Sequence, residues 1–173
     1  MKLDNKAVPE IFLHPGEFHL STSSEVVTTV LGSCVSVIMF DKQRRLSMMS
    51  HNLMPSCAES ASCKGNCSNV YKYAECSVKQ MLKIFDEAKI PYNQIIVKLF
   101  GGSELMNSNY NGERMISIGS RNIEAAKKII EKEGLNLVAQ DLGGASSRKI
   151  IFLTNTGEVF LSRTNFKPEL NLE

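Results

Sequence analysis

Between Phe18 and Met49 the apolar positions come in short runs: "FHL", "EVVTTVL", "CVSVIMF" and "RLSMMS". These runs are rich in β-branched and large apolar residues, with polar or turn-prone residues between them, which predicts strands. The polar "DKQRR" between the last two has the length of a hairpin connection. From residue 71 the period changes. "YKYAECSVKQMLKIFDEAKI" is apolar at 71, 74, 78, 81, 82 and 85, the spacing of a helix face, and Pro91 closes it. "SRNIEAAKKIIEKEG" repeats that spacing at 123, 126, 129 and 130, with Gly134 as a C-terminal cap signal. "QIIVKLF" and "LNLVAQ" read as further strands, "DLGGASS" as a turn, and "KIIFLTNTGEVFLSR" as a hairpin about "NTG". Residues 1–17 form a loosely organised lead-in ending at the turn-prone "HPGE", and "PSCAESASCKGNCSNV" (55–70) is a small, polar loop.

Strands outnumber helices and come in hairpins, so the expected fold is α+β: packed, mostly antiparallel sheets with two flanking helices. With 173 residues, one domain can bury a substantial core. Repeats and long linkers are absent from the sequence. The chain is 43% hydrophobic and 22% charged, with a net charge of +2 and its lysines and arginines scattered. That leaves no footprint for nucleic acid or an anionic membrane. Trp is absent, which removes the best stacking platform for bases. No run approaches the ~18 apolar residues of a membrane span, and the first residues lack the apolar core of a signal peptide. A cytoplasmic location is therefore the expectation, and reduced thiols with it.

The stretch "TTVLGSCVSVIMFD" places Cys34 two residues behind Gly32, at the start of a strand. A thiol becomes a nucleophile when a base withdraws its proton and a third group holds that base. The hairpin expected around residues 41–45 brings a position near His51 opposite Cys34, and a slip of one residue would turn the two to opposite faces. Thr28 or Thr29, on the adjoining strand, offers a hydroxyl to orient the imidazole. Gly32 permits a backbone bend, and backbone N–H groups around Gly32, Ser33 and Cys34 can serve an oxyanion. The plainer alternative also stands: Cys34 as a small buried hydrophobe and His51 as a strand-end residue. An activated Cys34 should alkylate at a lower pH than an ordinary thiol.

Other polar residues carry less. His14 and His19 flank a Pro-Gly turn and read as surface residues. Of Cys57, Cys63, Cys67 and Cys76, only the 63/67 pair has zinc-like spacing, so free thiols are the simpler reading and no metal site is assigned. "LFGGSELM" is a structural turn with no phosphate-binding lysine. Asn122 or Ser120 caps the second helix, and Arg121 is free to meet a partner carboxylate.

Taken together, "TTVLGSCVSVIMFD", "SHNLMP", "YKYAECSVKQML", "FGGSELM", "ISIGSRNIEAAKKIIEKEGLNLVAQDLGG" and "TGEVFLSR" resemble the chemoreceptor glutamine deamidase family, CheD, over residues 18–163. The resemblance implies a fold similar to that of toxin-type Cys–His deamidases. It implies hydrolysis of receptor glutamine side-chain amides to glutamate through a cysteine thioester, with no cofactor. It also implies a Cys–His–Thr triad of Cys34, His51 and Thr28, the family threonine lying six residues before its cysteine. The implied partners are chemotaxis receptor helices as substrate and a CheC-type phosphatase acting on CheY. An adaptor that regulates this phosphatase is the alternative function. Two departures stand out: "HNLMP" where the family reads "HxMLP", and the cysteine-bearing loop 56–69. Residues 1–17 and the tail "TNFKPELNLE" lie outside the resemblance.

Overall fold

The computed structural model describes residues 7–57, 69–104, 109–110, 113–114 and 116–164. Its strands are β1 (Glu10–Phe12), β2 (Phe18–Ser21), β3 (Val26–Leu31), β4 (Val35–Asp41), β5 (Leu46–Ser50), β6 (Ile96–Gly101), β7 (Asn109–Tyr110), β8 (Glu113–Arg114), β9 (Asn136–Leu142), β10 (Ser147–Leu153) and β11 (Val159–Thr164). The helices are α1 (Ala74–Glu87) and α2 (Ile118–Lys132).

Two sheets pack face to face, one of order β1-β3-β10-β11 and one of order β2-β5-β4-β6-β9. Helices α1 and α2 cover the far face of the second sheet, so that sheet is the middle layer of three. Its central strand β4 is buried at every position, which explains the nearly unbroken apolar run of "VSVIMF". Val35, Val37 and Met39 face the helices, packing with Val78, Met81, Phe85, Ile129 and Ile130. Cys34 and Ile38 face the first sheet, where Val27, Leu31, Ile150 and Phe152 complete a second core. The α+β architecture predicted from the patterning is the one observed. Most strand pairs are antiparallel, and β1–β3 and β6–β9 are parallel.

Both helices end in the same way. After α1, the Lys89 N–H bonds to the Asp86 carbonyl and the Ile90 N–H to the Phe85 carbonyl. After α2, Gly134 and Leu135 repeat this on Glu131 and Ile130. This is the Schellman arrangement, with a left-handed residue followed by a buried apolar one. Gly134 suits the left-handed position, whereas Lys89 occupies it at φ 55°. So α1 is closed by its own cap, before Pro91 is reached.

The lead-in is more organised than its sequence suggested. Residues 10–12 form β1 beside β3, and Leu13 is buried in the core between the sheets.

Candidate active site

Strands β4 and β5 pair with Ile38 opposite Met49, and an isolated bridge extends this register to Val35 and Asn52 through two hydrogen bonds of 2.8 and 3.0 Å. The same register sets His51 opposite Ser36 and Cys34 opposite Leu53. Cys34 and His51 are therefore diagonal neighbours two positions out of direct opposition. An offset of two keeps both on one face of the sheet, with backbones about 7–8 Å apart. That face looks into the gap between the two sheets.

His51 is 2% exposed and tied down at several points. Its N–H bonds to the Glu17 carbonyl at 3.0 Å and its carbonyl accepts from Gly16 at 2.8 Å, so the "HPGE" turn wraps the residue. On the ring, Nδ1 lies 2.8 Å from Thr29 Oγ1 and 3.4 Å from the Leu13 carbonyl. Thr29 Oγ1 donates to that same carbonyl at 2.7 Å. A hydroxyl has one proton to give. With that proton on Leu13, Thr29 must accept from Nδ1–H, so Nδ1 carries the imidazole's proton and Nε2 keeps a lone pair.

The hydroxyl that meets the imidazole in this structure is that of Thr29, where the resemblance implies Thr28. Inward-facing residues of β3 are Val27, Thr29 and Leu31, each fully buried. Thr28 has the opposite parity. It lies on the outer face of the first sheet, opposite Phe12 on one side and Ile151 on the other, and cannot reach His51. Thr29 is the hydroxyl on the imidazole.

Burial lowers the pKa of His51, against a smaller upward pull from the Leu13 carbonyl and the Glu17 charge. Burial raises that of Cys34, opposed by the residue's own backbone N–H. The resting pair is accordingly a neutral thiol beside a neutral imidazole. Both directions favour proton transfer during attack over the preformed thiolate that the sequence reading expected. The geometry suits general-base catalysis, in which the thiol loses its proton only as it attacks.

The backbone before β4 is held from one side. Ser103 N–H bonds to the Gly32 carbonyl at 2.8 Å, Asn122 Nδ2 to the Ser33 carbonyl at 2.9 Å, and Gly102 N–H to the Cys34 carbonyl at 2.7 Å. Gly32 is not among the glycines with left-handed backbone; Gly101 (φ 112°) and Gly102 (φ 72°) are. A Cβ on Gly101 would lie 2.2 Å from the Cys34 carbonyl oxygen, so the "GG" after β6 is what allows the cysteine turn its close support. Buried Arg148 braces this turn in its turn, donating to the Gly101, Asp141 and Gly143 carbonyls.

Remaining candidates fall elsewhere. His14 is exposed, and half-buried His19 pairs with Glu25 at 2.7 Å. Arg121 lines a groove of about 330 Å³ with Pro55, Glu75, Glu124, Lys128 and Lys132; Cys34, His51 and Thr29 do not line it. The cap of α2 is Ser117, whose Oγ accepts from the Ser120 N–H, and not Ser120 or Asn122. Among the described residues Cys57 and Cys76 form no disulfide, while Cys63 and Cys67 lie outside the described residues. Among the described residues no group of acidic, cysteine or histidine side chains could hold a metal ion. No helix there is long and apolar enough to cross a membrane.

Comparison with known proteins gives one answer. Residues 53–163 match the family model described as CheD chemotactic sensory transduction. A Geobacter sulfurreducens protein named probable chemoreceptor glutamine deamidase CheD 2 is 42% identical over 91% of this chain and 92% of its own length. Proteins named probable chemoreceptor glutamine deamidase CheD from Maridesulfovibrio salexigens and Trichlorobacter lovleyi are 34% and 32% identical, over 94% and 92% of this chain and 96% and 94% of theirs.

Proposed function

Since the chain belongs to the CheD family, we propose that it is a protein-glutamine deamidase that converts glutamine side chains of chemotaxis receptors to glutamate, with Cys34 as nucleophile, His51 as general base and acid, and Thr29 as the residue that orients His51. The observation that carries this reading is the one-way hydrogen-bond chain from Nδ1 of His51 through Thr29 to the Leu13 carbonyl. It leaves the Nε2 lone pair to the side of the sheet that Cys34 shares.

The chemistry follows from those roles. As Cys34 Sγ attacks the carboxamide carbon, its proton passes to Nε2 of His51, and negative charge gathers on the amide oxygen. Collapse of that intermediate expels ammonia, which takes the proton from Nε2, and leaves a thioester on Cys34. His51 then draws a proton from water, the hydroxide adds to the thioester carbon, and the thiol departs reprotonated with glutamate released. The imidazolium formed in each half of the cycle keeps its Nδ1–H on Thr29. A hydroxyl steadies it without adding a charge, unlike the aspartate of a serine protease. The N–H groups of Ser33 and Cys34 serve the oxyanion. The substrate is a receptor's cytoplasmic helical surface, and the chain works in the cytoplasm without a cofactor.

The test is incubation with a receptor cytoplasmic fragment, following ammonia release and the Gln-to-Glu mass change. Conversion by the wild type that vanishes in Cys34→Ala is the expected result. Absence of conversion across several receptors would remove the deamidase reading and favour an adaptor for a CheC-type phosphatase, which capture of that phosphatase would establish.

A further inference from the structure

Asn122 opens the second turn of α2, fully buried, and its side chain bonds outside that helix. Its Nδ2 instead donates two hydrogen bonds of 2.9 Å, one to the Ser33 carbonyl and one to the Leu53 carbonyl. Both acceptors are carbonyl oxygens, so only the NH2 end of the amide can face them. The Oδ1 end is left buried with no partner among the described residues. An amide that gives up one of its own bonds to make these two is there for what it holds.

What it holds is the nucleophile's peptide and the far side of the base. Ser33 C=O and Cys34 N–H belong to one planar trans peptide and point in opposite directions. Gripping the carbonyl from the α2 side therefore turns the Cys34 N–H away from α2, toward its own Sγ, which that N–H already favours in the charged form. Leu53 lies two residues beyond His51, opposite Cys34 in the strand register. One amide thus spans the cysteine segment and the histidine segment at the point where β4 and β5 stop pairing.

We propose that Asn122 is a positioning residue for deamidation: by holding the Ser33 carbonyl it presents the Cys34 N–H to the oxyanion, and by holding the Leu53 carbonyl it keeps that donor in register with His51. The proposal rests on the reading of Cys34 as the deamidase nucleophile. It assigns Asn122 no contact with substrate.

Two reactions of the same thiol separate this role from a merely structural one. Deamidation needs the oxyanion donor, whereas alkylation of Cys34 by iodoacetamide is a displacement at a saturated carbon and does not. Asn122→Asp, of equal size but without donors, and Asn122→Ser, which keeps one short donor, are compared with wild type in both reactions. The expected result is a fall in deamidation kcat of about 10²-fold for Asn122→Asp with KM little changed, consistent with loss of one oxyanion donor. Asn122→Ser should recover part of that loss, and Cys34 alkylation should stay within roughly threefold in both, scaled against the ~10²-fold fall. Equal losses in the two reactions, or no loss in either, would overturn the proposal. Should Asn122→Asp not fold, the serine variant alone decides it by the same ratio. A wild type that converts no glutamine would instead overturn the deamidase reading itself.

Discussion

Thr29 Oγ1 stands 2.8 Å from Nδ1 of His51 across the gap between the two sheets, with its own proton committed to the Leu13 carbonyl. The consequence is a fixed tautomer. Thr29→Val, which keeps the shape and removes the hydroxyl, should lower kcat by roughly 5- to 30-fold, the worth of about 1–2 kcal/mol for a buried hydrogen bond. Thr28→Val should leave kcat within about twofold on the same scale. Steady-state deamidation by the two variants decides it, and the reverse ranking would restore Thr28.

The pH dependence has a definite sign. In its proposed role His51 acts as base only when unprotonated, and burial sets its pKa below the ordinary value of about 6.5. So kcat/KM should climb as pH rises through a midpoint under that value, then stay level across neutrality. Burial moves Cys34 the other way. Its alkylation midpoint should lie above that of an ordinary thiol, and a rate profile in iodoacetamide checks this. A midpoint shifted downward would mean a preformed thiolate.

Lys89 closes α1 in the left-handed conformation that its helix cap demands and that side chains disfavour. Lys89→Gly removes that strain, which for a non-glycine residue is of order 1 kcal/mol. Some of the gain is offset by the greater freedom of glycine in the unfolded chain. Thermal unfolding should show Tm higher by about 1–3 °C at most, with activity unchanged.

At Gly101 the outcome is the opposite. A Cβ there meets the Cys34 carbonyl oxygen at 2.2 Å and the Val35 Cα at 2.9 Å, both backbone atoms in the middle of a sheet. Gly101→Ala should destabilise the fold by roughly 3 kcal/mol or more, combining overpacking with a φ that alanine avoids. Residual folded protein should have lost activity, because the cysteine turn must move to make room. Denaturant unfolding and the deamidation assay read the two effects separately.

The hairpin of β4 and β5 was legible because its runs are long and its connection short, and so the approach of Cys34 to His51 was legible too. The register was not, since a polar five-residue connection leaves the count open by a residue or two. Choosing Thr29 over Thr28 was beyond the pattern. In "VVTTVL" both faces carry two apolar residues, so alternation does not say which threonine points inward. The clamp formed by Gly101, Gly102 and Asn122 was invisible for another reason. It acts on backbone carbonyls far away in sequence, and no spacing rule reports such bonds. The lead-in escaped notice because three residues of β1 are too few for any period to show.

That short lead-in carries a consequence of its own. Leu13 supplies the acceptor at the end of the Thr29–His51 chain, and Gly16 and Glu17 grip the backbone of His51. The base is thus wired to the earliest part of the described chain, through a three-residue strand at the margin of its sheet. Turnover becomes a gauge of whether that margin is docked. In the proposed roles, anything that peels residues 10–17 away should silence the enzyme while most of both cores stays intact.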